Sequence, residues 1–144
     1  ATTLAWTLTS PQSTPTIESS WTASVAGDVA SQSLQYYADS TCTTGDVVAI
    51  SLAAGVEQHT RATSDGSTYS YRITTTDTAT NSDVSACSSS MTIDTSAPVA
   101  ANTLAFTETS PAGTTNLFTT WVASGSGDVV SQTIEYFSDA CTTS

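Results

Sequence analysis

The sequence predicts an all-β protein built from sandwich repeats, with one complete copy and the opening strands of a second. Three observations carry this expectation. Large apolar residues alternate with polar ones in short runs separated by Gly, Pro, Asn and Asp. No segment has a helical apolar period of useful length. Finally, the chain restarts after Pro98: Leu4, Pro11, Trp21, Gly27, Asp28, Gln32, Tyr36 and Asp39 recur as Leu104, Pro111, Trp121, Gly127, Asp128, Gln132, Tyr136 and Asp139.

Taken in order, Leu4, Trp6 and Leu8 alternate in a first strand that ends at Ser10-Pro11 and Pro15. Ile17, Ser19, Trp21, Ala23 and Val25 form a second, in which Trp21 anchors the core and requires a partner for its N–H. Gly27-Asp28 turns the chain. Leu34, Tyr36 and Ala38 then alternate with Gln35, Tyr37 and Asp39, so a third strand carries aromatic surface on both faces. Residues 47–52 and 56–63 are weaker strands around Ala53-Ala54-Gly55, and Asp65-Gly66 marks the next turn. Tyr69, Tyr71 and Ile73 share one face of a sixth strand. Residues 78–83 read as a turn, because their short polar side chains bond to nearby backbone. A seventh strand begins near Ala86, carries Met91 and Ile93, and stops at Pro98, which lacks the donor a ladder needs.

The repeat sets the organisation. Residues 1–97 are expected to form a complete sandwich, 98–103 a linker and restart, and 104–144 the first half of a second sandwich, truncated or completed by another segment. Substitutions between copies keep character: Trp6 becomes Phe106, Leu34 becomes Ile134 and Tyr37 becomes Phe137. After one dropped residue, Cys42 aligns with Cys141. The second copy has no counterpart of residues 47–95, and half a domain cannot close its own core.

Composition narrows the partners. Ser and Thr exceed a third of the chain, Lys is absent, and 13 acidic residues against two Arg give a net charge of -11. Phosphate binding needs a basic surface that such a chain cannot assemble, so nucleic acid is excluded as a partner. The same sign argues against anionic membranes, and no apolar run reaches the roughly 20 residues of a spanning helix, so no membrane insertion is expected. Acidic, Thr-rich composition with recurrent Cys suits an oxidising extracellular setting. Ala1 is read as a mature start inside a longer polypeptide.

Trp21 in the second strand, Tyr36 in the third, Asp65-Gly66-x-x-Tyr69-x-Tyr71 entering the sixth and Asp94-Thr95-x-Ala97-Pro98 leaving the seventh resemble a bacterial fibronectin type III or immunoglobulin-like tandem repeat. The likeness covers the whole first copy and three strands of the second. It implies a secreted or cell-surface protein whose neighbouring repeats, or other copies in a fibre, are its partners. It also implies a tyrosine corner at Tyr69, although Thr63 stands where the family has an apolar residue. The architecture hosts many functions and by itself assigns none.

Two sets of residues are candidates for chemistry. In such a sandwich, one pole gathers Asp28, Asp77, Asn81 and Asp83, and the other gathers Asp65 and Asp94 near Asp128 of the next copy. Calcium takes six to eight oxygen ligands from loops of this kind, while the plainer reading is solvated turn residues. The cysteines form the second set. A bridge needs Cα atoms within about 7 Å, whereas an average strand spans nearly 20 Å, and Cys42 and Cys87 fall toward opposite poles. A bridge within the domain therefore requires a shifted turn or a long third strand. Bridges between copies, involving Cys42, Cys87 and Cys141, and free thiols remain open.

An enzyme is not expected. His59, the only histidine, reads as an exposed side chain in a doubtful strand, and three dispersed Cys with one His lack zinc spacing. Without Lys, no Lys-to-Asn isopeptide cross-link can form. Three functions remain. The first is a structural spacer, shaft or fibre module. The second is an adhesive module for glycan or protein ligands, supported by Tyr37 and Phe137 on an outward face. The third is a filament subunit assembled by strand exchange or inter-copy disulfides.

Overall fold

The computed structural model describes residues 1–138. They fall into two compact units, residues 1–96 and 97–138. Unit 1 contains β1 (Thr2–Trp6), β2 (Thr16–Thr22), β3 (Val29–Tyr37), β4 (Ile50–Ala53), β5 (Gln58–Ala62), β6 (Thr68–Asp77), β7 (Ser82–Val84) and β8 (Met91–Thr92). Among the described residues no helix occurs, so the all-β expectation holds.

The strands make two antiparallel sheets packed face to face. One has the order β1-β2-β5; the other has the order β4-β3-β6-β7, with β8 also paired to β6. Ile17 and Trp21 from the first sheet meet Leu34, Tyr36, Tyr69, Tyr71, Ile73, Met91 and Ile93 from the second side, all buried. Period-two alternation produces this layering. In β2, Ile17, Ser19 and Trp21 are buried while Thr16 and Thr22 face water. The Trp21 indole finds the partner it requires in buried Gln32, whose Oε1 accepts at 3.3 Å. The Gln32 amide in turn donates to the carbonyls of Ala53 and Val56.

Tyr71 is the central residue of the core. Trp6 packs edge-on at 4.8 Å between ring centroids, and Trp21 and Tyr36 lie at 6.4 and 6.2 Å. Its hydroxyl crosses to the opposite sheet, 2.8 Å from the Ala5 carbonyl and within reach of the Ser20 carbonyl. Ala5 and Ser20 are paired beside a register shift between β1 and β2, where Thr3 has φ 50°. The Ala5 carbonyl also accepts from the Ser20 hydroxyl at 3.1 Å.

Several boundaries differ from the sequence reading. The second strand ends at Thr22, and Val25 is almost wholly exposed. The expected turn at 78–83 is tighter: the Asp77 N–H donates to Asn81, Thr80 takes φ 73°, and β7 already begins at Ser82. The seventh strand, expected from Ala86, comes in two pieces because serine side chains replace backbone partners between them. The N–H groups of Ile73 and Tyr71 donate to the hydroxyls of Ser85 and Ser88, while the Ser85 and Ser88 N–H groups return to the carbonyls of Ile73 and Tyr71. These four donors stay satisfied without regular strand geometry.

In unit 2, β9 (Asn102–Phe106) and β10 (Thr119–Val122) pair antiparallel. β9 thus begins inside the segment read as a linker. Thr103 takes φ 55° and a register shift recurs, as at Thr3. Residues 129–137, the counterparts of β3, form no strand. In unit 1 that strand is held between β4 and β6, whose sequence has no second copy here. Consequently Trp121 is 45 % exposed where Trp21 is 4 %, and Tyr136 is 60 % exposed where Tyr36 is fully buried.

Candidate functional site

Cys42 and Cys87 are bonded to each other, with Cα atoms 5.8 Å apart. The head-to-tail bridge between copies is therefore not the arrangement of these two residues. Two local features overcome the separation that topology suggested. The early start at Ser82 carries Cys87 well along β6 before the bond forms, next to the paired Ser88 and Tyr71. On the other flank, the chain folds back after β3, with Ala38 donating to the Thr44 carbonyl and Tyr37 bridged to Gly45. Cys42 then sits at φ 56° with its Sγ 3.2 Å from the Ser70 hydroxyl, on the outer side of β6. The disulfide is a strap across the middle strand of one sheet. It is not a link between the two sheets.

Asp39 builds the loop that delivers Cys42. Its carboxylate accepts from the N–H groups of Thr41, Thr43 and Thr44 and from the Thr43 hydroxyl, while its carbonyl accepts from Ser70 Oγ at 2.6 Å. The Thr43 hydroxyl and the converging amides hold the carboxyl far below the ordinary carboxylate range. Such a ring of donors around one Asp is a turn device whose product here is a fixed thiol position.

β5 carries the other unusual cluster. Its inward positions are His59 and Arg61, opposite Ser19 and Ile17. The Arg61 guanidinium lies 5.1 Å from the ring centroids of both Tyr36 and Tyr69, and it pairs with Asp46. His59 is half-buried, not exposed as expected: its Nδ1 is 3.1 Å from the Tyr36 hydroxyl, which also bonds to Ser19 Oγ at 2.8 Å. Burial, aided by Arg61, pushes the imidazole pKa down, and burial raises that of Tyr36. Ser19 has no exposed surface and is already bonded to Tyr36 and to the His59 carbonyl, so this Ser-Tyr-His chain closes the sandwich edge. Tyr69, where the resemblance puts a tyrosine corner, packs under Arg61; the phenol that bonds backbone across the sheets is that of Tyr71.

Three of the acidic candidates, Asp65, Asp77 and Asp94, act as turn caps. Asp77 accepts from both the backbone and the side-chain amide of Asn81 at 2.8 Å, and the Asn81 side chain holds its pKa down. The Asp28 carbonyl accepts from Thr78, while Asp83 is exposed on β7. Asp65 accepts from the Thr95 N–H and the Ser96 hydroxyl, which lowers its pKa, and Asp94 caps Ser96. Asp128 lies in the corresponding turn of unit 2. Among the described residues, no three His, Cys, Asp or Glu side chains come together as a metal-binding group. Of the candidate carboxylates, those of Asp65, Asp77 and Asp94 are already engaged in local hydrogen bonds.

Tyr37 is half-buried on the outer face of β3, opposite Ser70. Phe137 is half-exposed and lines a cleft of unit 2 with Leu104, Phe106, Trp121 and Tyr136, so the two aromatics occupy different settings. Cys141 lies outside the described residues.

Sequence reading missed Arg61, Asp46, Asp39 and the serines at 85 and 88. A signal existed for Asp39, because Asp followed by Thr at the second, fourth and fifth positions offers a ring of donors. Arg61 gave none, since a cation at an inward strand position reads as the end of an apolar pattern. Comparison with family models, curated proteins and solved structures finds no significant match to this chain.

Proposed function

We propose that the chain is an extracellular structural repeat of fibronectin type III or immunoglobulin-like kind, serving as a spacer or shaft of a secreted or cell-surface protein. The observation that carries this reading is the strap of Cys42 and Cys87 over β6 in a sandwich whose polar clusters are spent on closure. A disulfide in a small Ser- and Thr-rich domain fits an oxidising compartment. The strand pairing favours the fibronectin type III side of the resemblance. In constant-type immunoglobulin domains the fourth strand joins the sheet of the first, whereas here β4 pairs with β3. Neighbouring repeats are the partners, and the charge of -11 keeps such modules soluble and apart from one another.

An adhesive module is the second reading, supported by the Tyr37 ring on the outer face of β3. Screening the oxidised chain against glycan and extracellular-protein arrays tests the two. The spacer reading expects no saturable binding. Saturable binding that Tyr37→Ala abolishes would replace it with the adhesive one.

A further inference from the structure

We infer that the open face of unit 2 is an acceptor for a polypeptide segment with the strand pattern of residues 58–93, the second half of this same repeat. Unit 1 supplies the template. Its Trp21, Leu34 and Tyr36 are covered by Tyr69, Tyr71, Ile73, Met91 and Ile93, and the edge of β2 is taken by β5 from Gln58 to Ala62. Unit 2 repeats the covered side only: Trp121, Ile134 and Tyr136 occupy the same sequence positions and are exposed, and Leu104 and Phe106 extend the apolar surface. Among the described residues, β10 pairs with β9 alone, which leaves its other edge with unpaired backbone groups.

Face and edge therefore ask for the same thing at once. An antiparallel strand adding to β10 satisfies the backbone, and a following strand with large residues at alternate positions fills the cleft. In unit 1, one continuous segment does both. That segment also holds Arg61 and Arg72, the only two cations of the chain, whereas unit 2 has none and carries Glu108, Asp128 and Glu135. A second copy of unit 2 is a poorer occupant, because it presents another β1-to-β3 half and has no Tyr-x-Tyr-x-Ile strand to offer. The inference rests on the repeat and its packing, and it stands or falls independently of the spacer reading.

The test adds a peptide of residues 47–95, with Cys87→Ser, to the oxidised 144-residue chain and follows backbone hydrogen exchange. The expected result is saturation at one peptide per chain, with exchange across Thr119–Val122 slowed about tenfold or more. A matched peptide carrying Tyr71→Asp and Ile73→Asp should give no protection. Absence of protection by the first peptide, equal protection by both, or a chain that already protects these amides by dimerising would each overturn the inference. Because a free peptide can aggregate, a second measurement fuses residues 47–96 behind Ser144. Trp121 should then resist acrylamide quenching as Trp21 does, and a Trp121 that stays as accessible as in the parent chain contradicts the proposal.

Discussion

Replacing both Cys42 and Cys87 with Ala is expected to lower the stability of unit 1 by about 4 kcal/mol. The bond closes a loop with a sequence separation of 45 residues, so most of this loss comes from freeing the unfolded chain. Since domains of this size are stable by roughly 5–15 kcal/mol, the unbridged chain sits near its folding threshold. Urea titration of the oxidised and double-Ala chains measures the difference. The slope of free energy against urea should also rise, because an unbridged chain exposes more surface on unfolding. A change below about 1 kcal/mol would mean that the strap adds little to chain closure, in conflict with the role given to it here.

The second large effect is at Tyr71. Tyr71→Ala empties the middle of the core beside Trp6, Trp21 and Tyr36 and should cost about 3–5 kcal/mol. Tyr71→Phe keeps the ring but removes the phenol donor from the carbonyls of Ala5 and Ser20, the first of which still accepts from the Ser20 hydroxyl, at a cost of about 0.5–1.5 kcal/mol. Alkaline pH provides an independent check on the same phenol. Burial raises the pKa of Tyr71, and that of Tyr36, above the ordinary value of 10.0. The unfolded chain therefore loses these protons first as pH rises. Stability is intact below pH 10 and falls above it, with Tyr71 alone contributing up to about 1.4 kcal/mol per pH unit. In Tyr71→Phe this alkaline slope should be shallower, which a denaturation series from pH 8 to 11.5 would read.

How much of this could be read from the sequence depended on where the apolar pattern was the deciding force. Trp21, Leu34, Tyr36, Tyr71 and Ile73 alternate because one face of each strand is buried, and their positions in the core follow directly. β5 was obscure because its inward residues are His59 and Arg61, which cover aromatic rings through charge and hydrogen bonding without extending the apolar pattern. The split of the last strand was hidden for a related reason. Ser85 and Ser88 look like loop residues, yet their hydroxyls accept the β6 N–H groups that a regular ladder would have used. The disulfide remained open because strand-length arithmetic placed the thiols at opposite poles. The fold-back held by Asp39 and the early start of β7 bring them together, and both are turn effects of one or two residues. The exposed face of unit 2 was anticipated by the repeat itself, since Trp121 and Tyr136 recur without the segment that covers Trp21 and Tyr36.

The proposed spacer role requires the strapped sandwich of unit 1 to resist extension. Single-molecule extension of the oxidised chain, pulled from Ala1 and Ser96 and repeated with reductant, tests it most directly. The account predicts one cooperative unfolding event per unit, with the residues between Cys42 and Cys87 kept hidden. Reductant should then release a further extension of about 150 Å, the reach of that loop. Extension without a cooperative event, or an oxidised unit that already releases its full length, would contradict it.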